Sequence, residues 1–261
     1  MPGNFIFKTL VRKLPPIRRL IDERDSLRAA LGVDNVYGTE AFVQAAILAG
    51  DHRRIVGGGW EHVGAAQLEC LRSHGLLPDH HLLDIGCGTL RGGLHLIPYL
   101  EPGNYWGVDT SRHLLDAGWE RELVPAGLDV RRPRSQLVQI EDFDLARIDQ
   151  QFDYAMAFSV FTHINLNMVR RCLSRLAPRM QPGGKFLATY FEAPADPEIP
   201  FSDPHCERVT YSHHDPFHYS FEDMEYVVRH LPWRVRDVGP WLQDAEQQML
   251  IFERTPSAEM G

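Results

Sequence analysis

Cysteine is scarce and unpatterned in this sequence. The four present, Cys70, Cys87, Cys172 and Cys206, form no C-x-x-C pair, which argues against a disulfide framework or a structural zinc site and fits a reducing cytoplasm. No uninterrupted apolar run approaches the roughly 18 residues that a spanning helix needs. No signal peptide with a small-residue cleavage site precedes the cysteines either, so a cytoplasmic protein is expected. Positive charge is in the minority: 27 Lys and Arg against 35 Asp and Glu give a formal charge of −8 and a pI near 5.9. A sequence-independent nucleic-acid binder needs a clustered basic footprint, so no nucleic-acid partner is expected. Internal repeats and low-complexity tracts are absent as well. What is present is an ordinary globular mix, 44% hydrophobic and 24% charged over 261 residues. That is enough for one α/β domain with an appendage.

The appendage comes first. Phe5-Ile6-Phe7-Lys8-Thr9-Leu10-Val11-Arg12-Lys13-Leu14 is apolar and basic, and Arg18 and Arg19 follow before any acid. Such a stretch suits either a helix docked on its own domain or on a second subunit, or peripheral contact of residues 5–19 with an anionic membrane. After Pro15-Pro16, Ile17, Leu20, Ile21, Leu27 and Leu31 recur at helical spacing up to Gly32. A short helix over residues 39–48 with Thr39 as cap, a joint at Gly57-Gly58-Gly59 and a helix over 60–74 lead into the body of the chain. Residues 1–57 therefore read as an N-terminal helical extension, 58–254 as the main domain and 255–261 as a tail.

Within the main domain, strands and helices alternate. Strands are expected at 82–85, 104–109, 136–140, 152–159, 185–190, 234–238 and 249–254, and helices at 166–180 and 220–231, the latter capped by Ser220 with Asp223 three on. Gln181-Pro182-Gly183-Gly184 reads as a turn. Strict alternation implies a parallel sheet with helices on both faces, and ligands then gather outside the carboxyl ends of the strands. Residues 192–219 form a long insertion rich in Pro, His and aromatics, which reads as a lid.

Leu82-Leu83-Asp84-Ile85-Gly86-Cys87-Gly88-Thr89-Leu90-Arg91-Gly92-Gly93 is a buried strand breaking into a glycine loop. It is not the dinucleotide fingerprint, because Arg91 stands where the third glycine belongs. Instead Asp84 lies two residues before the first glycine, and a carboxylate there suits a ligand with an ammonium group. The second strand ends in Asp109, about 20 residues on, where an acid can bind both ribose hydroxyls. The third is followed by Glu141-Asp142-Phe143, an acid for an adenine amino group and an aromatic face for the ring. Arg91 beside the loop suits a cofactor carboxylate or a merely structural contact.

With these residues the chain resembles the class I S-adenosylmethionine-dependent methyltransferases, over roughly residues 58–254. The resemblance implies a Rossmann-like, seven-stranded, mostly parallel sheet whose last strand enters antiparallel. It implies S-adenosylmethionine as cofactor, held by Asp84, Gly86, Cys87, Gly88, Arg91, Asp109, Thr110, Asp142, Phe143 and Ser159. It also places His163, just past the fourth strand, among residues that touch the transferred methyl and the acceptor, and Trp60, Glu61 and His62 near the site.

If the acceptor is a hydroxyl, a base must take its proton, and histidine matches neutral pH. His163 ranks first as general base, with His213 and His214 of the insertion as acceptor contacts and Tyr190 and Glu192 at the same rim. A divalent ion held by an insertion histidine with Asp203 or Asp215 is a further candidate, although His205-Cys206 and the histidines at 213, 214 and 218 match no zinc spacing, so no metal ligand set is assigned. The expected activity is O-methylation of a sugar, glycan or small-molecule hydroxyl, the sugar and glycan part by analogy with methyltransferases of bacterial glycans and glycolipids. The alternatives are N- or C-methylation of a small metabolite and a non-catalytic cofactor-binding subunit. Homo-oligomerisation is left open.

Overall fold

A computed structural model of the chain describes residues 40–131, 133–196, 201–202, 209–242 and 247–256. The apolar and basic segment at 5–19, the helix through 17–31, the Thr39 cap, Asp203, His205, Cys206 and the tail beyond 256 lie outside the described residues.

The central strands form because each is apolar on both faces. In β1 (Leu82–Ile85), Leu83 and Ile85 enter one core cluster while Leu82 enters the other. β5 (Met180–Glu192) and β10 (Gln247–Arg254) repeat the division: Phe186, Ala188, Leu250 and Phe252 face one way, and Leu187, Met249 and Ile251 the other. A strand buried on both sides needs helices on both sides. Around them lie β2 (Tyr105–Asp109), β3 (Leu137–Gln139), β4 (Phe152–Ala157) and β9 (Trp233–Pro240). The order across the sheet is β3-β2-β1-β4-β5-β10-β9, parallel from β3 to β5, with β10 antiparallel to both its neighbours. This is the expected seven-stranded, mostly parallel sheet.

One face is covered by α6 (Leu166–Leu176) and α7 (Phe221–Val227), through Val169, Leu173, Leu176, Met224 and Val227. The other is covered by α3 (Trp60–Ser73), α4 (Gly93–Tyr99) and α5 (Arg112–Gly118). Asn165 caps α6 by accepting from the Met168 amide, and Ser220 with Asp223 forms the expected capping box on α7. Before α3, α1 (Glu40–Leu48) and α2 (His52–Ile55) pack on α5 through Val43, Ile55 and Leu114.

Three expectations of extent are corrected. The helix expected to run to 180 ends at Leu176 and tightens into a 3-10 turn over Ala177–Arg179, since Pro178 cannot continue the α ladder. The fourth strand stops at Ala157 rather than 159. The turn expected at 181–184 lies inside β5: pairing with β4 jumps from Phe152↔Met180 to Tyr154↔Lys185, so Gln181 to Gly184 bulge out, with Gly183 at φ 78°.

The insertion contributes short strands, β6 (Phe201–Ser202), β7 (Val209–Thr210) and β8 (His218–Tyr219). β6 and β7 pair with each other, whereas β8 joins the main sheet, parallel to β5 at Phe191↔His218 and Glu192↔Tyr219. Phe191 pairs with Gln247 of β10 on its other edge, and β4 leaves β5 at Ala157↔Ala188. β8 therefore takes the place of β4 along β5, just beyond the carboxyl end of β4.

Candidate functional site

The carboxyl ends of β1, β2 and β4 meet at the middle of the parallel sheet. At β1 the chain turns through Gly86 (φ 71°) and Gly88 (φ 54°), a left-handed conformation that any side chain would strain. Their surroundings demand glycine too: a Cβ on Gly86 would lie 2.6 Å from a Val160 methyl, and one on Gly88 2.8 Å from a Val56 methyl. The sequence pointed to close ligand approach; within the protein itself these glycines also admit Val160 from beyond β4 and Val56 from the segment after α2.

Asp109, at the end of β2 and 9% exposed, holds the loop in place. One carboxylate oxygen accepts from the Gly88 amide at 2.9 Å and the other from the Ser111 amide at 2.9 Å. A carboxylate has about four lone-pair positions, so capacity remains for hydroxyls. Burial pushes its pKa up, against the opposing effect of these backbone bonds. Cys87 is buried between the glycines with its sulfur against Gly107, and Thr110 is exposed, its carbonyl accepting from Gln139.

Asp84 is 3% exposed and accepts from the Tyr105 hydroxyl at 2.6 Å. Burial lifts its pKa to about 7, assisted by Asp109 and opposed by Tyr105 and Arg91. Arg91 does not stand alone beside the loop: Nη1 donates to the carbonyls of Val56 (2.9 Å) and Gly58 (3.0 Å), which fastens the preceding segment. Its own pKa is lowered to about 10 by burial, with Asp84 opposing. Three buried polar atoms have no hydrogen-bond partner among the described residues: Arg91 Nε, Trp60 Nε1 and Gln67 Oε1. Arg91 Nε, an orphan donor on a side chain that senses the Asp84 charge, suits a ligand carboxylate, and Asp84 itself suits an ammonium group. Trp60 is turned in, whereas Glu61 and His62 are exposed.

Beyond β3, Asp142 and Phe143 have left-handed φ values of 55° and 58°. Asp142 is bonded through one carboxylate oxygen to Arg171 of α6 at 2.7 Å and is over half exposed, while Phe143 packs on the core edge. Ser159 (φ 59°) donates its amide to Thr189 Oγ1 at 2.7 Å and lies 3.2 Å from the Gln247 amide oxygen.

His163 ends the 3-10 turn Phe161–His163 that follows β4. Its Nδ1 lies 2.5 Å from Asp215 Oδ1; the histidine side chain is 19% exposed and the aspartate side chain 1%. Sequence reasoning had weighed Asp215 only as a metal ligand, and nothing in a 52-residue separation signals the pairing. His213 is exposed and His214 half-buried; the His214 ring is tilted 37° against Tyr211 at 3.7 Å between centroids and meets His213 edge-on at 4.9 Å. His218 is buried with Nδ1 2.9 Å from Thr210 Oγ1. Tyr190 is fully buried and donates to Asp237 at 2.5 Å, which places it in the core rather than at an acceptor. Glu192 is exposed. Among the described residues no three His, Cys, Asp or Glu side chains converge as a metal site, and Asp203, His205 and Cys206 lie outside them.

Residues 83–186 match the family model described as a methyltransferase domain. Among solved structures, an S-adenosylmethionine-dependent methyltransferase from Clostridium acetobutylicum aligns with TM-score 0.58 at 16% identity, covering 81% of this chain and 99% of its own. Magnesium protoporphyrin IX methyltransferase from Synechocystis, solved with bound S-adenosylmethionine, aligns with TM-score 0.54 at 16% identity over 78% of this chain and 89% of its own. An O-methyltransferase family protein from Burkholderia thailandensis aligns with TM-score 0.53 at 15% identity over 74% of this chain and 57% of its own. At these identities the likeness is one of fold.

Proposed function

We infer, from a methyltransferase domain at residues 83–186 built on the class I sheet, that the protein transfers a methyl group from S-adenosylmethionine to a hydroxyl of a small-molecule or glycan acceptor, with His163 as general base. The observation that carries the reading is a cofactor-type loop, Gly86 to Gly88 tied to Asp109, against which the segment after β4 that bears His163 packs through Val160. When bound, the cofactor supplies an electrophilic methyl on a sulfonium centre. The chain's residues do the rest. Asp109 orients hydroxyls at the end of β2; Arg91 Nε receives a carboxylate; Asp84 faces an ammonium. His163 takes the acceptor proton, work that a nitrogen or carbon acceptor already nucleophilic would not require. That need favours oxygen over the other acceptors.

The sugar or glycan identity of the acceptor rests on analogy, and His213 and His214 beside Tyr211 are the side chains assigned to it. Calorimetric titration of the full chain with S-adenosylmethionine and S-adenosylhomocysteine tests the cofactor. Micromolar binding of both is expected, and failure to bind either would overturn the reading. A panel of methyl glycosides, glycan fragments and phenols then tests the acceptor. His163→Gln should keep cofactor affinity while turnover falls on the order of 10²-fold; undiminished turnover would remove His163 from the reaction.

A further inference from the structure

Asp215 enters the site from a segment that is registered on both sides of His163. The Phe217 amide donates to the Thr162 carbonyl at 2.8 Å and the Tyr219 hydroxyl to the Ile164 carbonyl at 2.5 Å, so the two residues flanking His163 each hold the segment. β8 pairs with β5 in the line that β4 vacates, and Ala193 donates back to the Tyr219 carbonyl at 2.9 Å. The loop from Tyr211 to Pro216 closes on itself through Tyr211 N to Pro216 O at 2.9 Å and His218 N to Tyr211 O at 2.9 Å. Two chain segments fixed to each other at these points leave the carboxylate of Asp215 little freedom relative to the imidazole.

We propose that Asp215 is a positioning residue for the base: its buried carboxylate keeps the proton of neutral His163 on Nδ1, so that Nε2 carries the lone pair, and it stabilises the imidazolium formed in the reaction. The proposal rests on the reading of His163 as base. An ionised carboxylate can only accept hydrogen bonds, so at 2.5 Å the imidazole nitrogen must be the donor. In the transfer, the acceptor oxygen bonds to the methyl carbon as the carbon–sulfur bond breaks and its electron pair stays on sulfur, which loses its positive charge. The hydroxyl proton passes to Nε2. Positive charge thus moves from sulfur to His163, beside a carboxylate that stays ionised. A carboxylate so deeply buried is costly unless paired, and such pairs add little net stability, so a role in holding a proton accounts better for its retention than fastening the segment does.

The test uses the full chain labelled with 15N-histidine, with the His163 signal assigned by its loss in His163→Gln. Long-range proton–nitrogen correlation at alkaline pH should show wild-type His163 protonated on Nδ1. In Asp215→Asn the side-chain amide can donate to Nδ1, so the proton is expected on Nε2, while Asp215→Glu keeps the wild-type pattern. A wild type protonated on Nε2 overturns the proposal without any variant, and so does an unchanged pattern in Asp215→Asn. A second readout separates positioning from fastening. Carbethoxylation of His163 by diethyl pyrocarbonate, followed by peptide mass, should slow in Asp215→Asn, because Nε2 then carries the proton in place of the lone pair. A loosened segment would expose the ring and speed the reaction, which also overturns the proposal. Parallel titration with S-adenosylmethionine keeps the outcomes distinct: loss of cofactor binding in the wild type would remove the methyltransferase reading, whereas the tautomer reports on Asp215 alone.

Discussion

Asp84→Asn should stabilise the ligand-free protein at alkaline pH while weakening its hold on the cofactor. Asp84 is buried with a folded-state pKa near 7, against an ordinary value of 3.8. An acid whose pKa is raised on folding binds its proton more tightly in the native state, so its effect is smallest below the unfolded value. Stability is then lost as pH rises from about 4 through 7. The displacement of about three units corresponds to an upper limit of about 4 kcal/mol, at 1.36 kcal/mol per unit. Asparagine keeps an oxygen for the Tyr105 hydroxyl and removes the charge, but it also deprives buried Arg91 of its favourable partner. The net gain expected at pH 8 is therefore about 1–2 kcal/mol, with none at pH 4. Urea unfolding from pH 4 to 8 on wild type and variant measures this as a difference of slopes, which cancels the other carboxylates. Calorimetry with S-adenosylmethionine should show the variant binding more weakly. Parallel stability curves across that range would refute the assignment of a buried, protonatable carboxyl at this strand end.

Gly88→Ala combines a φ of 54° with a 2.8 Å approach to Val56, and should cost about 1–3 kcal/mol in thermal or urea unfolding. A neutral outcome would mean that Val56 does not seat on the loop. Glu122, 2% exposed, accepts from Arg53 at 2.7 Å twice and from His52 at 2.7 Å; burial raises its pKa, but these partners more than offset that and leave it lowered. Glu122→Gln should therefore cost about 2–3 kcal/mol at neutral pH, with the difference shrinking as pH falls below the ordinary carboxylate range, as unfolding curves would show. Asp142→Ala removes an exposed pair with Arg171 and should change both stability and cofactor affinity by less than about 1 kcal/mol. A large loss of affinity in calorimetry would mean that Asp142 contacts the cofactor.

What could be read in the sequence is what neighbouring residues encode together. The glycine loop and the acid at the end of β2 were legible because strand, turn and glycine spacing are local, and the Ser220–Asp223 box on α7 is a four-residue pattern. The sheet followed from alternation, since a strand buried on both faces, such as Leu82–Ile85, has few other uses. What was not legible depends on partners far away in the chain. Arg91 read as serving either a cofactor carboxylate or a structural contact, and the carbonyls that its Nη1 bonds, those of Val56 and Gly58, lie more than thirty residues earlier. Asp142 also bonds Arg171 on α6, a partner twenty-nine residues on that no local pattern announces.

The His163–Asp215 pair is the clearest case. The strand that delivers Asp215 is two residues long, too short for any period, and its position is set by the vacancy that β4 leaves along β5 when it stops at Ala157. Chain length in β4 therefore decides where the carboxylate lands. A fourth strand extended to 159, as the residue pattern suggested, would reach Tyr190 in the same register and abut β8 at Phe191. Ser159 instead takes a left-handed φ and gives its amide to Thr189, which turns the chain away and leaves the edge at Phe191 for His218. The break at Ser159 turns the chain away just short of that edge, and it was hidden because apolar Phe158 and small Ser159 read as a continuing strand.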